Sequence, residues 1–178
     1  MIVLKLKDIS KFDSNKGERR LLVVCNPCAS WNFSETQIKE LSEKLNAEIS
    51  RQRMICNYEI SGIDPRAYDK IFGLMCGAGV QVLAEILDRE VIPIVDTLGI
   101  GVKKNNGVEI YCSGCGNCRL EETFGMCTVA RCAKSLANGP CGGVHDAKCE
   151  VDDKECVWIS IFEKAKSLDK LAELLKNP

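Results

Sequence analysis

The sequence predicts an α/β fold: a small open parallel sheet with flanking helices, followed by a cysteine-rich, loop-built, cluster-binding unit and a C-terminal helix. Three observations predict it. Short apolar runs alternate with helical periodicity through the first hundred residues, as in sheets buried between helices. Eight of the 12 cysteines then crowd between Cys112 and Cys156, in a stretch without periodicity. Helical spacing returns after Cys156. The organisation expected is an α/β domain over 1–104 and a cysteine-rich unit with its helix over 105–178.

Taken in order, Arg19-Arg-Leu-Leu-Val-Val-Cys25 reads as a buried strand. Ser34-Glu-Thr-Gln37 offers a capping box, with Ile38, Leu41 and Leu45 on one face of a helix from about Ser34 to Ala47. A second strand is expected around Ile49 to Ile60, and Asp64-Pro65 supplies the cap and first position of a short helix. Lys70 to Cys76 is the next buried strand. Gly77-Ala-Gly79 turns the chain into a helix through about Arg89 that carries Val80, Leu83, Ile86 and Leu87 inward. Val91 to Val95 closes the set. This β-α-β-α-β-α-β order favours a parallel sheet covered on both faces. Gly107 to Tyr111 reads as one more strand. Trp158, Ile161, Phe162, Ala165, Leu168, Leu171, Ala172 and Leu175 fall on one face of a last helix.

At 178 residues the chain can bury a core without covalent staples, so its cysteines serve another purpose. Charges interrupt the apolar N-terminal run too early for an export signal, and no apolar stretch is long enough to cross a bilayer. A cytoplasmic protein is expected, where thiols stay reduced and a cysteine cluster points to metal or redox chemistry rather than disulfides. Net charge is −1, with both signs interspersed, which disfavours nucleic acid and anionic membrane as partners.

Cys112-Ser-Gly-Cys115-Gly-Asn-Cys118 presents three thiols at C-x2-C-x2-C spacing. One zinc loop usually needs a single C-x2-C; a third cysteine at the same short step suits a cubane, in which each thiolate binds its own iron. With Cys127, Cys132, Cys141, Cys149 and Cys156 the unit holds eight, enough for two [4Fe–4S] clusters. Sequence order does not say which four meet. Gly114, Gly116, Gly125, Gly139, Gly142 and Gly143 lie between these ligands, where sharp turns expose N–H donors to an anionic cluster.

Four more cysteines fall in the first domain. Cys25, Cys28, Cys56 and Cys76 lie mostly at predicted C-terminal strand ends, where open parallel sheets place their ligands. A third cluster or a zinc ion there competes with buried structural thiols. Cys25-Asn-Pro-Cys28 also has the form of a thioredoxin-type dithiol. Cys76-Gly-Ala-Gly-Val-Gln81, with Asp96 beyond the next strand, could open a dinucleotide loop, although Val82 stands where its third glycine belongs. The single histidine, His145, is expected in a solvent-facing loop, and no C-x-x-C-H exists for covalent haem. Arg131 and Lys134 flank Cys132 and either offset cluster charge or are solvated. Trp158 reads as a helix anchor.

The run Cys112 to Cys118, with Thr123-Phe-Gly-Met-Cys127, Arg131-Cys-Ala-Lys134, Asn138-Gly-Pro-Cys-Gly-Gly143, Lys148-Cys-Glu-Val151 and Cys156-Val-Trp158, closely resembles the methylenetetrahydrofolate reductase C-terminal-like family, of MetV type. The first half resembles it through Cys25-x-x-Cys28 and Cys76 to Gln81. The resemblance implies that Cys112, Cys115, Cys118, Cys127, Cys132, Cys141, Cys149 and Cys156 are cluster ligands. It further implies an anaerobe's electron-transfer subunit in one-carbon metabolism, passing electrons from a carrier such as ferredoxin to the flavin of a reductase barrel. That flavin reduces a methylene-pterin, whether methylenetetrahydrofolate or an archaeal analogue. A full (β/α)8 barrel takes about 250 residues, so the flavin-containing subunit is expected on another chain, and this chain by itself is expected to be non-catalytic. A zinc-stabilised scaffold or a dithiol oxidoreductase are the alternative functions.

Overall fold

The computed structural model describes residues 1–12, 17–104 and 107–176, which fall into two compact units, Met1–Leu98 and Gly99–Pro178. The sequence-based boundary between 104 and 105 touches residues 105 and 106, which lie outside the described set. Among the described residues no helix is long and apolar enough to cross a membrane.

In the first unit β1 (Ile2–Leu6) precedes the central strand β2 (Arg20–Asn26), followed by α1 (Cys28–Asn32), α2 (Glu35–Leu45) and β3 (Glu48–Arg53). Two 3-10 turns, Ile55–Asn57 and Pro65–Ala67, lead to β4 (Lys70–Leu74), α3 (Gly77–Leu87) and the two-residue β5 (Ile92–Pro93). The sheet order is β3-β2-β4-β5 and every pairing in it is parallel.

The sheet is buried on both faces, and the two-residue period of β2 divides the core. Leu22 and Val24 join Phe72, Leu74 and the inner face of α2 (Ile38, Leu41, Leu45). Leu21, Val23 and Cys25 join Ile71, Met75 and the inner face of α3 (Leu83, Leu87). The fold-class expectation of a parallel sheet between helices therefore holds. Around α3 the detail differs: Val80 is half-buried and Ile86 is exposed, because only a narrow stripe of this short helix meets the sheet.

The expected capping box is present: Ser34 Oγ accepts the Gln37 N–H at 3.2 Å and Gln37 Oε1 accepts the Ser34 N–H at 2.8 Å. Arg20, 2% exposed, works at the opposite end of α2. Its Nη1 donates to the Leu45 carbonyl at 3.1 Å, while Nε and Nη2 grip Glu18. A helix C-terminus with orphan carbonyls is a favourable place for a cation, and the paired carboxylate makes its burial tolerable.

Three first-unit expectations are corrected. The strand expected over Ile49 to Ile60 ends at Arg53, since Met54 takes a left-handed conformation (φ 48°) and starts a 3-10 turn. The helix expected after Asp64 is a single 3-10 turn, although Asp64 does cap it by accepting the Arg66 N–H at 3.0 Å. Neither β1 nor α1 was expected. They hold each other through Asn32, whose Nδ2 donates to the Ile2 carbonyl at 2.8 Å and whose Oδ1 accepts the Leu4 N–H at 2.9 Å.

Strand β6 (Val95–Lys104) leads the chain into the second unit and pairs antiparallel with β7 (Gly107–Cys112). There follow a one-turn helix α4 (Thr128–Arg131), the small hairpin β8 (Val144–His145) and β9 (Lys148–Cys149), α5 (Val157–Ser167) and α6 (Leu171–Lys176). Asp146 and Ala147 both have positive φ (48° and 62°), as a two-residue hairpin turn of the I′ kind requires. The single C-terminal helix expected from the spacing is two: Asp169 adopts φ 56° and breaks it after Ser167. Consequently Trp158, Ile161, Ala165 and Leu174 enter the core, whereas Leu168, Leu171 and Leu175 are exposed.

Candidate metal centre

The triplet begins where β7 ends. Cys112 closes that strand, and the chain then turns through Gly114 (φ 68°), whose N–H donates to Cys112 Sγ at 3.3 Å. The same device recurs at Cys141: Gly142 (φ 78°) turns the chain and the Gly143 N–H reaches Cys141 Sγ at 3.4 Å. An N–H aimed at sulfur is the contact that an anionic cluster draws on.

Cys112, Cys115, Cys118 and Cys127 all line one cavity of about 270 Å³, together with Tyr111, Leu120, Thr123, Thr128, Val129 and Ala137 among others. Cys127 is brought there as the N-cap residue of α4. The loop between Cys118 and Cys127 is fixed by Thr123, buried, with Oγ1 2.7 Å from the Met126 carbonyl and 3.0 Å from that of Arg119. Arg119 Nε in turn donates to Glu122 at 2.7 Å and its Nη1 to Asn138 Oδ1 at 2.7 Å. One water's share of liquid volume is about 30 Å³, so this space is sized for a group larger than one ion.

The remaining four lie elsewhere in the second unit. Cys132 is the C-cap residue of α4 and packs against the α5 core, which contains the buried Cys156. Cys149 stands on β9 opposite Val144, and the Cys156 N–H donates to the Ala147 carbonyl at 2.9 Å, joining the start of α5 to the hairpin turn. Cys141 Sγ lies 3.8 Å from Glu150 Oε1, next in sequence to Cys149. Among the described residues, no group of three or more His, Cys, Asp or Glu side chains is arranged to hold a single metal ion. A cubane asks for a different arrangement, since each thiolate meets a separate iron at its own corner. Four thiols around one roomy cavity fit that requirement.

In the first unit Cys25 ends the buried part of β2, Cys28 opens α1, Cys56 lies in the 3-10 turn after β3, and Cys76 is the N-cap residue of α3. Burial pushes the Cys28 thiol up to about 11, and Cys76, Cys25 and Cys56 push in the same direction. Cys25 is raised too, first by burial and then by Cys76 and Cys56. Such thiols are poor nucleophiles, opposite to the low-pKa thiolate a dithiol oxidoreductase needs. Between Cys25 and Cys28, Asn26 holds a buried Oδ1 with no hydrogen-bond partner among the described residues, which costs about 1–3 kcal/mol. The dinucleotide reading has no loop to rest on: α3 begins at Gly77, so Gly77 and Gly79 are helical residues rather than a phosphate cradle.

His145 is solvent-facing as expected, although it sits on β8 rather than in a loop. Trp158 is the anticipated anchor: it is buried and Nε1 donates to the Leu136 carbonyl at 3.1 Å. Sequence reasoning did not find the partners of the basic residues beside Cys132. Arg131 lies over the Tyr111 ring, 4.9 Å from its centroid, and Lys134 pairs with Glu150. That pairing and the nearby Cys141 hold Lys134 above its ordinary value, while Lys134 lowers Glu150. No spacing rule links positions 16 or 20 apart across irregular loops.

Together these features define a two-unit α/β protein whose second unit gathers thiols around a cavity. Residues 92–178 match the family described as methylene-tetrahydrofolate reductase C terminal. No curated protein and no solved structure matches the chain.

Proposed function

We propose that this chain is the MetV-type iron–sulfur subunit of a methylenetetrahydrofolate (or methylene-pterin) reductase. It passes electrons from a carrier such as ferredoxin to a flavin held by a separate barrel subunit. The observation that carries the reading is the convergence of Cys112, Cys115, Cys118 and Cys127 on one cavity, within the stretch that matches the reductase C-terminal family.

These four would hold one [4Fe–4S] cluster, and Cys132, Cys141, Cys149 and Cys156 are assigned to a second. A bound cluster supplies reversible one-electron storage at a potential set by its hydrogen bonds and burial. The chain's own residues prepare the place: the Gly114 and Gly143 N–H groups face sulfur, and the apolar wall of Leu120, Val129 and Ala137 limits water. Arg131, held over Tyr111 beside Cys112, adds a fixed positive charge near the anion.

Anaerobic purification of the full chain tests this. Brown protein containing iron and acid-labile sulfide, with an EPR signal on reduction, is expected, together with co-purification of a flavoprotein from the native host. Colourless protein containing only zinc would overturn the electron-transfer role. The isolated chain is expected not to reduce methylenetetrahydrofolate; turnover by it alone would overturn the division of labour.

A further inference from the structure

We infer that Cys25, Cys28, Cys56 and Cys76 form a separate tetrathiolate site for an iron–sulfur cluster, at the C-terminal edge of the first unit's parallel sheet. The site lies outside the stretch that the family match covers, and it stands or falls independently of the second unit's clusters.

The topology brings the four together. β2 and β4 are in register at Val24↔Leu74, so Cys25 and Cys76 lie one and two residues beyond a paired position on neighbouring strands, which run about 4.8 Å apart. Cys28 follows at once, in the first turn of α1, and both it and Cys76 pack against the same core cluster. On the other side β2 is in register with β3 through Asn26↔Arg53. Beyond that pair the Met54 N–H donates to the Asn26 carbonyl at 2.9 Å, which draws the 3-10 turn carrying Cys56 back over the end of β2. Tyr58 fastens that turn to α3, its hydroxyl donating to Glu85 Oε2 at 2.5 Å. Three strand ends therefore deliver four thiols to one edge, where open parallel sheets bind their ligands.

The chemistry of the donor set narrows the ligand to a thiolate-bound metal centre. Thiolates gathered at one sheet edge repel one another, and a cation among them offsets that repulsion. A metal centre removes that obstacle, each thiol releasing its proton to solvent as it ligates. Four thiolates are a donor set that both an iron–sulfur cluster and a zinc ion accept, and metal analysis separates the two. Asn26 Oδ1 has no hydrogen-bond partner among the described residues; turned over, this amide would present N–H donors of the kind that cluster sulfur accepts.

The test compares the anaerobically purified full chain with two variants, reading iron, sulfide and zinc content, EPR and circular dichroism. The quadruple variant C25S/C28S/C56S/C76S is expected to lose about a third of the iron and sulfide if the second unit holds two clusters. It is expected to lose all of both if the second unit holds none, which separates this proposal from the functional one. Cys56 is exposed, so Cys56→Ser should leave the fold intact while converting the cluster to a three-iron form with an EPR signal in the oxidised state. Unchanged iron and sulfide in both variants, or loss of zinc in place of iron, would overturn the site.

Discussion

Gly99 is packed directly against the backbone of Cys112: a β-carbon at Gly99 would lie 2.6 Å from the Cys112 carbonyl oxygen, and its φ of 149° is one that side chains rarely adopt. The contact sits beside the irregular register between Ile100 and Gly101, where β6 bends past the end of β7. A bulge of this kind re-aims the strand that it faces. Here the strand re-aimed is the one that delivers the first cysteine of the triplet. Gly99→Ala is therefore expected to cost about 1–3 kcal/mol and to loosen the cavity. Chemical denaturation checks the first effect; iron retained after anaerobic desalting checks the second, with about a severalfold faster loss expected.

Cys127 is a second point of leverage, since it alone of the four cavity thiols comes from outside the triplet. Cys127→Ala should halve the iron of the second unit while leaving the far-ultraviolet dichroism of the chain unchanged. Retention of full iron by this variant would mean that the cavity is closed by a different fourth ligand. His145→Ala serves as the control: the residue is exposed, and no change in iron or sulfide is expected.

At the first unit, the two ends of α2 can be weighed against each other. Ser34→Ala removes an exposed capping box and should cost about 1 kcal/mol. Arg20→Ala removes the donor to the Leu45 carbonyl and takes one cation from Glu18, so a loss of about 3–5 kcal/mol is expected. Thermal or urea unfolding of both variants reads the difference. Near-equal effects would show that the Arg20 network contributes no more than a surface pair.

How far the sequence foretold these arrangements depends on the range of the interactions involved. The run from Leu21 to Cys25 is apolar on both faces and could only be an inner strand, and Ser34 and Gln37 bond within one helical turn. Charged residues at Lys5 and Lys7 hid β1, which is held by Asn32 from a distant turn. Gly99 and Gly101 hid β6, because they interrupt the alternation by which a strand is recognised. Asp169 breaks the last helix without any glycine or proline to announce it. The thiols themselves were plain to see. Which of them face one cavity was not, because Cys127 reaches it through a loop locked by Thr123 rather than through spacing.

Cys28 supplies the last prediction, which concerns the dithiol alternative. A thiol pushed up to about 11 holds only about a thousandth of its population as thiolate at pH 8, and it is the thiolate that attacks a disulfide. Folded, reduced, chelator-treated protein should therefore show no thiol–disulfide exchange above that of a small free thiol at pH 7–8. Alkylation at Cys28 should be slow under those conditions and should accelerate in urea, where burial and the neighbouring thiols no longer act on it. Peptide mapping by mass spectrometry after timed alkylation reads that site alone. Fast labelling of Cys28 in the folded chain, together with exchange activity lost in the C25S/C28S variant, would return the first unit to the class of dithiol oxidoreductases.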